Sequence, residues 1–269
     1  MDIRQLAIGF IFGIGIAWLA YRARSLSKNG AVAASLVGGF IFGLGGFPWA
    51  VMLLVFFVSS SALSKVFTRR KAALDEKFAK GSQRDWEQVT ANGGLGTLLA
   101  MVFVLFPTQN WVWAAFVGAM AAVNADTWAT EIGVLNPQPP RLITNGAVVE
   151  RGASGGVSFY GYLAVIGGAI LIGASALVFT ADVSWWVVPL AALAGGMAGA
   201  SLDSFLGATV QAIYYCPVCA KETEKHPQHS CGASTHFLRG WRWVSNEVVN
   251  FACSLGGAVV AVGVWWLFS

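Results

Sequence analysis

Charge is what this sequence has least of. Asp, Glu, Lys and Arg make up 11% of its 269 residues, against 56% hydrophobic residues and a mean hydropathy of +0.64. A soluble domain has about a quarter of its residues charged, so this composition excludes one and points to a chain that spans a membrane several times. Cysteine and histidine are sparser still, at four and three residues. Three of the four Cys and all three His fall between 216 and 236, in a loop that the topology below makes cytoplasmic, where a disulfide is not expected. No Gly-x-x-x-x-Gly-Lys-Ser/Thr loop occurs, which removes the P-loop route to nucleotide binding. The first apolar run, Leu6 to Tyr21, has no basic segment ahead of it beyond Arg4 and no small-residue cleavage site before Arg22. It reads as a retained span and not as a signal peptide.

Glycine is abundant, with 32 residues mixed with Ala and Ser inside long apolar runs, the composition of closely packed membrane helices. Eight runs are candidate spans: 5–21, 31–46, 48–66, 93–106, 110–125, 155–179, 184–213 and 246–268. A full crossing needs about 20 residues, so the short second and fourth are candidates for re-entrant segments. The seventh, interrupted at Gly195, Gly196 and Gly199, is a candidate for a kink or a split. The expected fold is all-α, a polytopic bundle forming a single integral membrane domain over 1–269, with a small Cys/His insert at 214–242. With the N- and C-termini external, the cytoplasmic loops are 22–30, 67–92, 126–154 and 214–245. Of the 17 Lys and Arg only Arg4 lies away from them, Lys65 sitting at an edge. This obeys the positive-inside rule for a prokaryotic inner membrane or its equivalent. The net charge of +4 is therefore topogenic, and nucleic acid is not an expected partner. Association into a homo-oligomer is compatible with the same composition.

Acids inside or beside apolar runs are costly, and they pair, bind a cation or line a wet cavity. Asn124-Ala-Asp126-Thr127-Trp-Ala-Thr130-Glu131 ends the fifth run, and Asp203 sits inside the seventh with Ser201, Ser204, Thr209 and Gln211 near it. On a helix Thr127 and Glu131 share one face and Asp126 and Thr130 the adjacent one. Such an oxygen set suits Mg²⁺, which keeps room for phosphates. The plainer alternatives are a solvated helix end for the first, against which the density of oxygen ligands speaks, and an interhelical hydrogen bond for the second, for which an acid is an expensive choice. Arg151-Gly152-Ala-Ser154-Gly155-Gly156 opens the sixth run. A Gly-rich turn, a helix N-terminus and a guanidinium together make a phosphate cradle, although Gly-rich turns are common. Arg84, Gln88 and Asn92 recur at four-residue spacing after a basic amphipathic segment over 69–77. Lys28 with Asn29 forms a smaller polar cluster, and Asn246 and Asn250 open the last run. Cys216-x-x-Cys219 with Cys231 and either His229 or His226 is the pattern of a structural zinc site, His229 being preferred.

The runs at 125–133, 155–158 and 202–211, with Gln88 to Gly93 and Asn246 to Asn250, resemble the transmembrane protein 19 family of integral membrane proteins, which includes plant and cyanobacterial phytyl-phosphate kinases. The likeness runs in order through essentially the whole chain. It departs at Arg151-Gly-Ala-Ser, where a Gly-Thr-Asn-like turn is expected, and in the Cys/His insert, which is not universal in the family.

The resemblance implies transfer of a phosphoryl group from a nucleoside triphosphate, CTP being the expected donor, to an isoprenoid monophosphate of phytyl or geranylgeranyl type at the cytoplasmic face. The product is the isoprenyl diphosphate. In that scheme Asp126, Glu131 and Asp203 carry catalysis by holding Mg²⁺. Lys28, Arg84, Gln88, Asn92, Thr127, Thr130, Arg151, Gly152, Ser154, Gly155, Gly156, Ser204, Gln211, Asn246 and Asn250 hold substrate and phosphates, and Zn²⁺ is structural. A phosphate monoester is already largely dianionic near neutral pH, so no strong base is needed. Three rival readings stand beside it. A lipid-phosphate transporter or flippase explains Gly-broken helices and a buried acid. Nucleotidyl transfer would release pyrophosphate, and a scaffold would use its zinc knuckle to dock a partner.

Overall fold

The computed structural model describes residues 2–71, 83–180 and 185–269, and the side chains of 68–71 lie outside the described set. The amphipathic segment expected over 69–77 falls largely outside it too. The described residues form eight helices: α1 (Ile3–Arg22), α2 (Lys28–Gly45), α3 (Phe47–Lys71), α4 (Trp86–Leu105), α5 (Asn110–Gly133), α6 (Phe159–Leu177), α7 (Val187–Thr209) and α8 (Asn246–Phe268). Between α5 and α6, β1 (Arg141–Leu142) pairs antiparallel with β2 (Gly156–Val157). Between α7 and α8, β3 (Ile213–Cys216), β4 (Lys221–Thr223) and β5 (His236–Arg239) form an antiparallel sheet in the order β4-β3-β5.

Six of the eight helices are long and apolar enough to cross a membrane among the described residues; α2 and α5 are not. The shortfall against the eight expected spans has a physical cause. α2 opens on Lys28-Asn29, and α5 carries Asn124, Asp126 and Glu131. α5 can afford its polar groups because it is the axis of the bundle, touching α3, α4, α6, α7 and α8. Its residues from Ala114 through Ala125 are all buried, and they are mostly Ala, Gly and Val, small enough for neighbouring helices to approach closely.

Two expected boundaries move, and one expected break is absent. α4 starts at Trp86 instead of 93, because Asp85 and Gln88 close a reciprocal capping box, so the fourth segment has the length of a span. α5 continues past 125 to Gly133, which puts the acid motif inside a helix instead of at its end. α7 does not split but runs as one helix from Val187 to Thr209. Its glycines serve contact: a Cβ on Gly199 would stand 2.4 Å from Ala122 Cβ, and one on Gly195 2.6 Å from Gly257 O. α1 lies at the periphery, burying Gly9, Gly13, Ala17 and Ala20 against α2 and exposing Ile11, Phe12, Trp18 and Leu19 where lipid would be.

Asn124 ties three helices together. Its Nδ2 donates to Gly168 O at 2.8 Å, and its Oδ1 accepts from Ser59 Oγ at 3.0 Å and Ser60 Oγ at 3.3 Å. It is fully buried and both its amide nitrogen and its amide oxygen have partners, so its role is positional. Asn124→Leu strands those partners and should destabilise the protein by about 1–3 kcal/mol, read as a lower thermal midpoint in detergent.

Candidate functional site

The C-terminal ends of α3, α5 and α7 meet the N-terminal ends of α4, α6 and α8 at one end of the bundle. They surround a cavity of about 320 Å³. Asp126, Thr127, Thr130 and Glu131 enter from α5, Asp203 and Ser204 from α7, Gln88 and Asn92 from α4, and Asn246 and Asn250 from α8. Arg84, Arg151, Gly152, Ser154, Gly155, Gly156 and Gln211 enter from the connecting segments. Every expected substrate or acid residue therefore lines one space, except Lys28. Lys28 is exposed in the first turn of α2 and is not part of the cavity wall. What the Lys28-Asn29-Gly30 cluster supplies is room: a Cβ at Gly30 would stand 2.1 Å from Arg84 O. That close approach lets Arg84 N donate to Ser25 O at 3.1 Å while Ser27 N donates to Arg84 O at 3.0 Å.

Arg84 is thus fixed by its backbone just before the cap of α4, off the helical face that the spacing suggested. Its guanidinium carbon lies 5.3 and 5.6 Å from the ring centres of Phe56 and Phe57. Burial pulls its pKa down to about 10, with Glu131 opposing the shift, so it stays a cation near neutral pH. Its Nη1 is buried with no hydrogen-bond partner among the described residues. Asp203 Oδ1 is likewise buried and unpartnered among them, and Asp203 lies within electrostatic reach of Asp126 and Glu224. Native proteins pair nearly all buried polar atoms, so two orphans in one cavity mark a place for a ligand.

The threonines are oriented usefully. Thr127 Oγ1 donates to Val123 O at 2.8 Å and Thr130 Oγ1 to Asp126 O at 3.1 Å. Their protons are spent on the helix, which leaves oxygen lone pairs as what they can offer a cation. In the turn opening α6, Gly155 has φ +82° and packs against α7, where a Cβ would come within 2.5 Å of Ala208 Cβ. Arg151 Nη2 donates to the carbonyls of Asn136 and Pro137, both at 2.8 Å, so it shapes its loop as well as lining the cavity.

The sequence did not announce Ser64, Tyr162 or Glu224, and all three line the cavity. Ser64 Oγ donates to Glu131 Oε1 at 2.7 Å. The available signal was the serine set of α3, since Ser60 and Ser64, one turn apart, meet Asn124 and Glu131 on α5. Glu224 had no signal. It comes from the Cys/His insert, and its Oε1 accepts from Gln211 Nε2 at 2.8 Å and Ser154 Oγ at 3.1 Å. Two expected phosphate contacts are thereby engaged with an acid of the insert.

Within the insert, Cys216, Cys219, His229 and Cys231 bring their ligand atoms within 4.8 Å of one another, a group able to hold a metal ion. Cys216 Sγ lies 3.6 Å from Cys231 Sγ, and His229 Nδ1 lies 3.5 Å from Cys219 Sγ and 3.3 Å from Cys231 Sγ. A tetrahedral zinc with ordinary bond lengths would separate two sulfurs by about 3.8 Å and a sulfur from a nitrogen by about 3.5 Å. Three thiols at such range compete for protons: the Cys219 thiol is pushed up to about 11, by hydrogen bonding with Cys231 first and burial second. A cation would relieve that competition. His226, the other histidine considered, instead stacks on Tyr214 with centroids 4.3 Å apart. The cavity acids form no comparably tight cluster among the described residues.

A family model described as integral membrane protein DUF92 matches residues 11–258. Protein PGR of Arabidopsis thaliana is 34% identical over 274 residues, covering 93% of each chain. Uncharacterized membrane protein MJ0933 of Methanocaldococcus jannaschii is 32% identical, covering 76% of this chain and 82% of its own. Protein VTE6, chloroplastic, of Arabidopsis thaliana is 24% identical, covering 88% of this chain and 64% of its own. No solved structure matches.

Proposed function

Because the chain belongs to the DUF92 family of integral membrane proteins, we propose that its end-of-bundle cavity is the active site of a phosphotransferase acting on an isoprenoid monophosphate. The donor is a nucleoside triphosphate, CTP first, and the acceptor is of phytyl or geranylgeranyl type. The observation that carries this reading is the charge of the cavity. Asp126, Glu131, Asp203, Glu224 and Glu247 line it against two cations, Arg84 and Arg151. Such a wall repels phosphates unless divalent cations bind first, which is how phosphoryl-transfer sites work. The loose cluster of acids suits Mg²⁺, which keeps several waters and is bound by one or two carboxylates with substrate phosphates. Asp126 and Asp203 would hold it, and Ser64 orients Glu131 toward the same space. Mg²⁺ there would neutralise the charge that builds on the transferring phosphate.

The chain's own residues do the rest. Arg84 and Arg151 both bring guanidinium charge to the cavity wall. The 152–156 turn ahead of α6 lines the same wall, with the N–H groups of Ala153 and Gly156 donated to Glu150 O and Ala153 O and those of Gly152, Ser154 and Gly155, without a partner among the described residues, left for a phosphate. Asn246 and Asn250 add amides from α8 for a base, ribose or phosphate. The basic loops would put this end of the bundle at the cytoplasmic face, where nucleotides are, with both termini outside. Zinc is the proposed occupant of the Cys₃His cluster, with a structural role. The resemblance to a family that includes phytyl-phosphate kinases, and the chloroplastic relative, support the substrate class.

The test is cation dependence of turnover in proteoliposomes. Phytyl phosphate with CTP or ATP should react in Mg²⁺, stop with EDTA and recover on adding Mg²⁺ back. Turnover that persists in EDTA would remove the acids from a metal role. Nucleotide-independent passage of the lipid phosphate across the vesicle wall would favour a transporter instead.

A further inference from the structure

A second cavity, of about 270 Å³, lies among α1, α2, α3 and α4. Its wall is apolar, with Ile16 and Ala20 from α1, Ala34 and Val37 from α2, and Leu53 and Phe57 from α3. The polar side chains on it are Arg84, Gln88 and Asn92, and these three also line the acid-rich cavity, so the two spaces meet there. The far end lies among Phe12, Phe42 and Phe47, the first two with ring centres 5.7 Å apart. From Phe47 to Phe57, α3 rises about 15 Å, half the hydrocarbon thickness of a bilayer.

Two further observations indicate what this space holds. At the junction, the Arg84 guanidinium lies over the rings of Phe56 and Phe57, which wall the apolar cavity, while its buried Nη1 has no partner among the described residues. A cation in that position matches an anionic group at the end of an apolar chain. Midway down, Gly38 leaves the space open. A Cβ there would meet Gly13 Cα at 3.7 Å and Leu53 Cδ2 at 4.0 Å, ordinary contacts, so a side chain would enter the cavity without first displacing backbone.

We propose that the α1–α4 cavity holds the hydrocarbon chain of the acceptor: a single-chain isoprenoid phosphate lies with its tail toward Phe42 and Phe47 and its phosphate beside Arg84, facing the acids. The fate of that phosphate rests on the kinase reading; the binding mode does not. Gln88 fits the same role. Its carbonyl accepts from Asp85 N in the α4 cap, so what it offers at the junction is its amide donors.

The test is photo-crosslinking of the full-length protein in nanodiscs with a four-unit isoprenoid monophosphate carrying a diazirine at its tail. Adducts are expected between 12 and 20 and between 34 and 54, competed by unlabelled phytyl phosphate and not by dioleoyl phosphatidate, whose two chains do not fit. Gly38→Leu should weaken binding of the four-unit phosphate about ten-fold and leave a two-unit phosphate nearly unchanged, the size of effect that extra methylenes produce in an apolar pocket. If that variant does not fold, Ala34→Phe fills the same space from one turn nearer the junction. Adducts confined to the outward faces of α6 or α8, equal competition by phosphatidate, or unchanged long-chain binding in both variants would overturn the proposal. The two readings fail separately. Adducts in the cavity without phosphoryl transfer would sink the kinase and leave the chain site. Transfer insensitive to Gly38→Leu at every chain length would sink the chain site and leave the kinase.

Discussion

Asp203→Asn should lower turnover by about 10²–10³-fold and leave the protein folded, with a thermal midpoint equal to or above that of the wild type. The two halves of this expectation have one cause. Asp203 Oδ1 is buried without a partner among the described residues and faces other acids, so its charge is a burden on the fold. Removing it relieves repulsion, whereas an acid kept for packing would destabilise the fold when lost. A group that lowers stability while it raises activity is the mark of a functional site. Asp126→Asn should behave alike, since Asp126 shares the same repulsion and the same cavity. The check is paired: initial rate and thermal midpoint of the same preparation. A variant that loses activity and stability together would make Asp203 a structural residue.

The second large effect is expected at the insert. Cys219→Ser should abolish zinc binding by purified protein, because a three-ligand remnant no longer closes the tetrahedron. Activity should fall with it, by roughly ten-fold or more, the usual scale for loss of a supporting shell around a site. The connection is Glu224, one residue beyond β4. It is held by Gln211 and Ser154 at the cavity wall while its backbone belongs to the insert. Glu224→Gln keeps the zinc and tests that connection alone, and a smaller loss is expected from it. Metal analysis alongside rate measurement separates the two. Full activity in zinc-free protein would make the insert independent of the chemistry and revive a docking role for it.

Much of this arrangement was legible in the sequence because membrane helices punish unexplained polarity. Asp126, Glu131 and Asp203 stood out against apolar runs, and their spacing put them on helices that do meet. The Cys-x-x-Cys and a downstream Cys and His specified a cluster that the fold closes with His229 and not His226. What could not be read was anything set by contacts distant in the chain. The start of α4 depends on a capping box, and Gly195 and Gly199 in α7 record the approach of α5 and α8 instead of a break. Lys28 was drawn in by its charge, while the feature that matters beside it is the missing side chain of Gly30. Glu224 looked like one more acid in a loop, because only folding of the insert carries it to the cavity. The hydropathy of α5 misleads for a related reason: a helix wrapped by five others needs no lipid-facing surface of its own.

Phosphoryl transfer in the acid-lined cavity leaves two products that mass resolves. The measurement that tests it most directly is product analysis by mass after incubating the purified, zinc-loaded protein in proteoliposomes with phytyl phosphate, Mg²⁺ and each nucleoside triphosphate in turn. Isoprenyl diphosphate together with the nucleoside diphosphate, absent for Asp203→Asn, is the predicted result. No product with any donor, or a nucleotidyl-lipid adduct with pyrophosphate, would contradict it.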